Sequence, residues 1–243
     1  MRKHIPNIIT LLNLFAGTIA ITHAFNANFT GVIVWVIIAA VFDFLDGMAA
    51  RLLNAYSPLG KELDSLADVV SFGVAPASSL YILMRNNFIY PELLQPISQY
   101  IPYLAFIIPA FAAYRLAKFN IDTRQTDSFL GLPTPANGLF WISYCFALYS
   151  FIELNTTSLL NESIWIITVV LIIIISILMV TEVPMFSFKL KSRGIKGNER
   201  QIILIILFIT LISIFGIAGI AMGIISYILI SILTPSRHKA LNN

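Results

Sequence analysis

The chain of 243 residues is 58% hydrophobic and only 11% charged, with a mean hydropathy of +0.86. Soluble domains are about 25% charged, so this composition excludes a soluble globular protein and predicts a polytopic membrane protein. The net charge of +3 comes from basic residues in short loops between apolar segments, so no nucleic-acid partner is predicted. The single cysteine, Cys145, excludes a disulfide within the chain.

The apolar segments predict an all-α transmembrane bundle of about eight spans. A bilayer core about 30 Å thick needs about 20 apolar residues per helical span. As one helix at about 1.5 Å per residue, the last apolar run, 202–233, would measure about 48 Å. It is too long for one span, and Gly216 and Gly219 predict a turn that divides it in two. The predicted spans are Ile5–Phe25, Gly31–Asn54, Pro58–Met84, Ile101–Phe119, Ala136–Leu154, Ile164–Val180 and the two halves of 202–233.

The distribution of basic residues predicts the orientation. With eight spans both termini lie on one side of the membrane, and every lysine and arginine except Arg85 lies on that side. The positive-inside rule makes this side cytoplasmic. We therefore predict a multi-pass protein of the cell membrane with both termini in the cytoplasm.

Two acidic helical faces interrupt the apolar pattern where the second span ends and the third begins. Spacings of three and four residues place side chains on one face of a helix. The face on the second span consists of Asp43, Asp46, Gly47 and Ala50. The face on the third span consists of Gly60, Asp64 and Asp68. The short loop between the spans makes them antiparallel neighbours, so the two acidic faces are predicted to meet.

Four carboxylates in this position need a compensating charge, because each costs about 2.5 to 3.5 kcal/mol at the centre of a membrane helix. All-oxygen ligation by carboxylates suits Mg²⁺ or Mn²⁺, and four acids suit two ions. The pattern therefore predicts a two-metal phosphoryl-transfer site. The alternative is that the small residues only allow close helix packing while the acids pair with Arg51 and Lys61. Two cations, however, do not balance four acids and Glu62.

The spacing D-x2-D-G-x2-A-R-x8-G-x3-D-x3-D, which begins at Asp43, resembles the signature of the CDP-alcohol phosphotransferase family. The resemblance implies that Asp43, Asp46 and Asp64 are metal ligands. It implies two roles for Asp68, as a metal ligand and as the base that takes the proton from the attacking alcohol. Two divalent cations, Mg²⁺ or Mn²⁺, are the expected cofactors.

The resemblance also implies a CDP-lipid site beside the acids. The stretch Pro6-Asn7-Ile-Ile-Thr10 is similar to the entry to the first helix in the family, which contributes to the nucleotide-lipid site. Ser57 is predicted to cap a helix that begins at Pro58, and the matching position in relatives contacts nucleotide phosphate. The expected CDP-lipid contacts are Asn7, Thr10, Gly47, Ala50, Arg51, Ser57 and Gly60.

Three further segments, 115–120, 131–138 and 183–189, look like those of the membrane-embedded phosphatidylserine synthases of that family. The resemblance implies a CDP-diacylglycerol donor, or an ether-lipid equivalent, and L-serine as the acceptor. Arg115 is predicted to hold a carboxylate or phosphate bidentately, and the alternative is that it extends to the interface as a helix-end cation. Asn13 either contacts ligand or bonds to a neighbouring helix. The expected serine contacts are Arg115, Asn13 and Asn120.

The resemblance covers residues 5 to about 190. Within a single membrane-embedded domain, 1–243, it implies that spans one to six carry the catalytic core and that 200–234 forms a C-terminal helical hairpin. The site is expected to face the cytoplasm, and a homodimer is expected because relatives are commonly dimers.

Two other functions stay open at this point. One is transfer to a different acceptor, such as glycerol phosphate or inositol phosphate, although an anionic acceptor needs a larger basic cluster. The other is a cation-coupled transporter, whose acids bind and release an ion. The sequence shows no inverted repeat, and a transporter does not need Gly47, Ala50 and Gly60 at fixed spacing.

Overall fold

The computed structural model of the protein describes residues 4–121, 129–154, 160–185 and 198–233. These residues form an α-helical bundle with a single two-residue strand pair. The helices are α1 (Ile5–Phe25), α2 (Phe29–Leu52), α3 (Pro58–Asp68), α4 (Ala75–Asn87), α5 (Ile107–Ile121), α6 (Thr134–Leu154), α7 (Leu160–Val180), α8 (Glu199–Phe215) and α9 (Ala218–Leu233). A π-helical segment, Val69–Val74, joins α3 to α4, so that 58–87 is one continuous central helix. The 3₁₀ segments Glu92–Ile97 and Ile101–Phe106 lead into α5.

A helix forms over each of the eight predicted segments, which confirms the all-α prediction. Five helices of the described residues are long and apolar enough to cross a membrane. They are Ile5–Phe25, Phe29–Leu52, Pro58–Asn87, Ile101–Ile121 and Ser163–Val180. Of the other predicted spans, α6 is 21 residues long but is not among these five, and the apolar helices α8 and α9 are shorter, at 17 and 16 residues. The total of eight spans therefore stays a prediction.

Several helix boundaries in the structure differ from the predicted ones. The second span begins at Phe29, two residues before Gly31, because the Asn28 side chain caps it by accepting from the Gly31 amide at 2.9 Å. The third span continues past Met84 to Asn87. The start at Ser57 and Pro58 is confirmed, since the Ser57 hydroxyl accepts from the Gly60 amide at 3.0 Å. The remaining changed limits are 52 instead of 54, 121 instead of 119, 134 instead of 136 and 160 instead of 164.

The C-terminal run is two helices, as predicted, and the turn between them centres on Gly216. Its φ of +58° is a left-handed conformation that favours glycine. Gly219, also predicted to form the turn, lies within α9, where the backbone of Leu211 leaves no room for a side chain. The Ser143 hydroxyl on α6 donates to the Ile217 carbonyl at 2.6 Å and accepts from the Ala221 amide at 3.0 Å. The hairpin is therefore fastened to α6 at its turn.

The central helix is the core of the bundle. Within its most apolar 18-residue window 78% of residues are buried, against 28% for α2. The helices α1, α5 and α6 pack closely on its π-helical segment. A Cβ atom on Gly138 would lie 2.8 Å from Cα of Phe72, and one on Gly17 would lie 2.8 Å from Cα of Ser71. Glycine at these positions lets α6 and α1 approach the segment that directly follows Asp68.

The strand pair was not predicted. Strand β1 (Phe129–Leu130) pairs antiparallel with β2 (Pro184–Met185). The pair joins the segment before α6 to the segment after α7. A further backbone hydrogen bond joins the same two segments, from the Gly131 amide to the Val183 carbonyl at 2.9 Å. The strand pair therefore connects two of the three segments that resemble phosphatidylserine synthases. Residues 186–189 of the second of these lie outside the described residues.

Candidate active site

Three of the four predicted acids meet where α2 faces α3. The carboxylates of Asp43, Asp64 and Asp68 each offer an oxygen within 4.8 Å of the other two. Asp68 is only 6% exposed and lies at the end of α3, directly before the π-helical segment. The contact between the two acidic faces is therefore as the spacing predicts.

Asp46 is the fourth acid and lies beside this trio. It is 6% exposed, and its Oδ2 accepts a hydrogen bond of 2.6 Å from the Thr10 hydroxyl of α1. Short bonds to a carboxylate are among the stronger hydrogen bonds in proteins. Thr10, predicted as a CDP-lipid contact, thus also fixes the position of a predicted metal ligand.

The alternative in which the acids pair with cations of the chain is wrong for the described residues. None of their lysine or arginine side chains lies within 4.0 Å of the four carboxylates; the ion pair among them joins Lys118 to Glu182 at 3.7 Å. Arg51 donates from Nε to the Gly47 carbonyl at 3.0 Å, and Lys61 donates to the Asn120 carbonyl at 2.7 Å. Among the described residues, no ion pair with a lysine or arginine therefore compensates the charge of the four acids.

The donor set fits hard divalent cations. Oxygens of several carboxylates are the ligands that Mg²⁺ and Mn²⁺ prefer. Asp64 Oδ1 is buried without a hydrogen-bond partner, which is costly unless another group satisfies it. Asp43, Asp64 and Asp68 could hold a metal ion together, with Asp46 adjacent.

A pocket of about 200 Å³ opens beside the acids, between the start of α1 and the junction of α2 and α3. Six of the seven predicted CDP-lipid contacts line it, namely Asn7, Thr10, Gly47, Ala50, Ser57 and Gly60. The exception is Arg51, whose exposed side chain turns back along α2 to the Gly47 carbonyl. Pro6, Ala55, Tyr56 and Lys61 line the pocket without having been predicted.

The small residues of this pocket provide space for a ligand. A Cβ atom on Gly47 would meet nothing within 4 Å, so glycine is not needed there for helix packing. A Cβ atom on Gly60 would lie 3.0 Å from Asn7 Oδ1 and 3.1 Å from Ser57 Oγ, which are ends of pocket side chains. Helix packing therefore does not explain the glycine at position 47. The lack of side chains at Gly47 and Gly60 leaves space in the pocket for a ligand.

The sequence comparison agrees with this geometry, since residues 3–181 match the family model described as CDP-alcohol phosphatidyltransferase. The chain belongs to the CDP-alcohol phosphatidyltransferase family. Within that family, a CDP-diacylglycerol–serine O-phosphatidyltransferase of Helicobacter pylori is 35% identical over 207 residues, covering 83% of this chain and 78% of that protein. Proteins of the same name from Methanocaldococcus jannaschii and Bacillus subtilis are 36% and 34% identical, covering 74% and 61% of this chain and 72% and 76% of their own.

The match to the CDP-alcohol phosphatidyltransferase family includes the signature acids and the helices through α7. It ends at residue 181, so α8 and α9 lie outside it. Arg115, Asn13 and Asn120, the predicted acceptor contacts, all lie inside it. Their surroundings in the structure differ from one another.

Arg115 is buried near the acids. The residue is 7% exposed, whereas an arginine that extends to the interface keeps its charged end in water. One guanidinium nitrogen donates to the Thr134 hydroxyl at 2.9 Å, and Nε is buried without a partner. Arg115 also interacts electrostatically with Asp68 and with Tyr227 of α9. Thr134 was not predicted individually, although it belongs to the segment 131–138 that carried the resemblance.

Asn13 and Asn120 have different surroundings. The Asn13 side chain, fully buried on α1, donates to Asp68 Oδ1 at 3.4 Å, and its own Oδ1 is buried without a partner. Asn13 thus bonds across helices and still has an acceptor to offer a ligand. Asn120 instead donates to the Ser65 hydroxyl at 2.9 Å while its carbonyl accepts from Lys61, so it ties α5 to α3.

The π-helical segment is the part of the site that sequence reasoning missed. The Ser71 hydroxyl donates to the Asn13 carbonyl at 3.1 Å, and the Asn137 side chain donates to the Phe72 carbonyl at 3.4 Å. Trp141 in turn donates to Asn137 at 3.0 Å. These bonds hold the segment after Asp68 between α1 and α6. The signal in the sequence was the run of small and polar residues 71–79, which the apolar pattern of a span obscured.

Proposed function

We propose that this protein is a phosphatidylserine synthase of the CDP-alcohol phosphatidyltransferase family. It transfers the phosphatidyl group, or its ether-lipid (archaetidyl) equivalent, from a CDP-linked lipid to the hydroxyl of L-serine and releases CMP. The observation that carries the proposal is the trio Asp43, Asp64 and Asp68 beside a pocket lined by the family's nucleotide-lipid positions. The names of relatives that are 34–36% identical support serine as the acceptor.

The four acids would hold two divalent cations, Mg²⁺ or Mn²⁺. When bound, such ions neutralise charge on a pyrophosphate and on the departing nucleotide. The protein's part is to keep the carboxylates in place: Thr10 fixes Asp46, Asn13 bonds to Asp68, and the packed central helix positions Asp64 and Asp68. The four acids form no ion pair with the lysine and arginine side chains that the structure describes, so their oxygens are available to the ions.

Asp68 takes the proton from the serine hydroxyl in this proposal. The serine oxygen then forms a bond to the phosphorus of the phosphatidyl group as the bond from that phosphorus to the CMP oxygen breaks. Asp68 is the acid that bonds to Asn13 and interacts with Arg115, so it faces the acceptor side. Serine bound there presents its hydroxyl to a carboxylate, as general-base catalysis requires.

Arg115 would hold the serine carboxylate or the transferred phosphate. Its unpartnered Nε is a buried donor near Asp68, and a guanidinium bonds carboxylate and phosphate bidentately. The buried, unpartnered Asn13 Oδ1 can accept from the serine ammonium. The carboxylate and the ammonium of a serine zwitterion would thus be bound by Arg115 and Asn13, respectively.

Two rival functions are less well supported. Glycerol phosphate or inositol phosphate would bring a dianion to the acceptor side. Among the described side chains, Arg115 is the cation near Asp68, and a single cation does not balance a dianion. A site that binds only a cation does not require the open space at Gly47 in the pocket beside the acids, so this space does not support a cation-coupled transporter. Both remain outcomes of the test below.

We also propose eight spans, with both termini and the carboxylate site on the cytoplasmic side, and a homodimer. The helices over all eight predicted segments and the distribution of basic residues support this topology. Residues 5–190 would then form the catalytic core of a single domain, and α8 and α9 a C-terminal hairpin against α6.

The test is CMP release by the purified protein given CDP-diacylglycerol, Mg²⁺ or Mn²⁺ and a panel of acceptors. We expect release with L-serine, formation of phosphatidylserine, loss of both with a chelator and recovery when the metal is restored. Faster release with glycerol phosphate or inositol phosphate would change the acceptor. Cation transport without CMP release would replace the enzyme by a transporter.

A further inference from the structure

A second polar pocket, of about 390 Å³, lies at the other end of the central helix. Arg85, on its wall, is seventeen residues beyond Asp68 in one continuous helix. At about 1.5 Å per residue the two side chains are separated by about 25 Å along the helix axis. The pocket therefore lies near the opposite membrane surface from the carboxylates, and the catalytic proposal does not involve it. Tyr81, Arg85, Tyr90, Ser98, Tyr100 and Tyr103 are among the residues that line the pocket.

The Arg85 guanidinium has N–H donors that are available to a ligand in this pocket. One guanidinium nitrogen donates to the Tyr81 hydroxyl at 2.9 Å, and the guanidinium carbon lies 5.9 Å from the centre of the Tyr81 ring. No acidic side chain of the described residues lies within 4.0 Å of it. An arginine has five N–H donors in a planar fork, so the side facing the pocket can bind an anion.

Tyr81, which contacts Arg85, belongs to an aromatic cluster at this end of the bundle. The Tyr81 and Tyr103 rings lie 5.2 Å apart, and Tyr90 lies 6.2 Å from Trp165 of α7. Burial raises the pKa of the Tyr90 hydroxyl to about 12, so that it stays neutral and donates to the Met84 carbonyl at 3.1 Å. Tyrosines are enriched at the membrane–water interface, and this cluster is typical of the headgroup level.

The connection beside the pocket presents apolar side chains outward. Leu93 is 89% exposed, and Ile89 and Ile97 are also exposed. Tyr100 adds a hydroxyl group at the pocket wall, whereas the Ser98 hydroxyl there already donates to the Gln95 carbonyl at 2.9 Å. One cation and several hydroxyls beside exposed apolar side chains match a molecule with an anionic head and apolar chains.

We propose that this pocket binds the phosphate of an anionic phospholipid, with Arg85 as the anion-binding residue and the acyl chains against Ile89, Leu93 and Ile97. In the eight-span topology, Arg85 is the one lysine or arginine on its side of the membrane, against the positive-inside distribution of all the others. A bound headgroup gives that charge a partner. The lipid belongs to the leaflet opposite the carboxylate site, so it is neither the substrate nor the product.

The experiment is native mass spectrometry of the full-length protein in detergent, titrated with phosphatidylglycerol, phosphatidylcholine or soluble glycerol phosphate. We expect the wild type to retain phosphatidylglycerol and Arg85→Gln to bind it about fivefold more weakly, as for one cation at a lipid surface. Lys118→Gln, which removes a cation from the other end of the bundle, is the matched control and should bind it normally. CMP release by Arg85→Gln should equal that of the wild type.

Three outcomes would overturn the proposal: no phosphatidylglycerol retained by the wild type, unchanged affinity in Arg85→Gln, or an equal loss in Lys118→Gln. Binding of glycerol phosphate as tight as that of phosphatidylglycerol would assign the pocket to a soluble phosphate instead. Should Arg85→Gln unfold, Arg85→Lys carries the test, because it keeps the charge and loses the fork. Affinity below that of the wild type is expected for Arg85→Lys, and unchanged affinity contradicts the role of the guanidinium.

Discussion

The second span and the central helix each bring two acids to the site, and their surroundings differ. The central helix holds Asp64 and Asp68 in a segment whose most apolar window is 78% buried, whereas that of α2, which holds Asp43 and Asp46, is 28% buried. Val41 and Phe44, beside Asp43 on α2, are exposed side chains. Packing therefore contributes most to the position of Asp68, at the buried part of the central helix, whereas the hydrogen bond from Thr10 holds Asp46 on α2.

This difference separates two kinds of substitution. A substitution next to the central helix should lower the free energy of unfolding, because α1, α5 and α6 pack closely against the segment that follows Asp68. A change on the exposed side of the site should alter ligand affinity with little effect on folding.

The largest effect is expected from removing a carboxylate from either pair. Asp64→Asn on the central helix and Asp43→Asn on α2 should each reduce CMP release to background, because a neutral amide binds a hard dication poorly. Asp46→Asn should do the same. Each variant should stay folded, since an amide costs less to bury than a carboxylate.

Turnover assays and thermal unfolding of the purified variants check this prediction. Glu62→Gln, which changes an exposed acid on α3, is the matched control and should remain active. Wild-type turnover in any of the three aspartate variants would contradict the metal assignment.

Arg115→Lys should lower the rate or the affinity for serine about 10- to 150-fold although the charge is kept. A charge-assisted hydrogen bond contributes about 1.5 to 3 kcal/mol, and lysine lacks the planar fork. Lys118→Arg, one turn further along α5, is the control. Normal turnover and normal half-saturation for both substrates in Arg115→Lys and Arg115→Ala would place the acceptor site elsewhere.

Thr10→Val should raise the half-saturating concentration of CDP-lipid about tenfold. The substitution removes the 2.6 Å bond that holds Asp46, and a bond to a charged group contributes about 1.5 kcal/mol or more. Thr18→Val is the control, because the Thr18 hydroxyl is exposed and bonds to the Phe15 carbonyl of its own helix. Equal kinetics in the two variants would show that Asp46 needs no support from α1.

Gly17→Ala should lower the free energy of unfolding by about 1 to 3 kcal/mol, the usual cost of overpacking a close contact. The added methyl would lie 2.8 Å from the Ser71 backbone beside the central helix. Reversible denaturation in mixed micelles measures this change. An unchanged midpoint would mean that the π-helical segment can shift, which contradicts fixation by packing.

Gly47→Leu should leave stability unchanged and weaken CDP-lipid binding several-fold, with less effect on serine. A Cβ atom there has open space, and the longer side chain fills the pocket that Gly47 lines. Half-saturation for each substrate measures the two effects separately. An unchanged value for CDP-lipid would remove Gly47 from the nucleotide site.

Residue spacing predicted the positions that depend on one helix. Asp64 and Asp68 are four residues apart, and the cap at Ser57 is a local hydrogen bond, so both followed from short-range geometry. The six pocket contacts followed from the family resemblance. Arg51 bonds to its own helix instead of lining the pocket, because spacing fixes a helix face but not the rotamer of a long side chain. Its contact with the CDP-lipid stays a prediction.

Contacts between distant segments were not predictable from the pattern. Arg115 and Thr134 are nineteen residues apart, and their hydrogen bond depends on how α5 packs against α6. The strand pair joins segments more than fifty residues apart through backbone atoms, which carry no side-chain signal. The π-helical segment depends on the close approach of α1 and α6 at Gly17 and Gly138.

All four carboxylates, with the α1 residues that bond to Asp46 and Asp68, lie within the first 68 residues. During synthesis the acidic cluster is therefore complete once the third membrane segment has entered the bilayer. Until then, α1 can already supply Thr10 to Asp46, but Asp43 and Asp46 lack the acids of α3 with which they would hold the proposed ions. The first three segments thus gain from entering the membrane as one unit. Arg115 arrives only with the next span, so a nascent chain would assemble the proposed metal ligands before the proposed acceptor site.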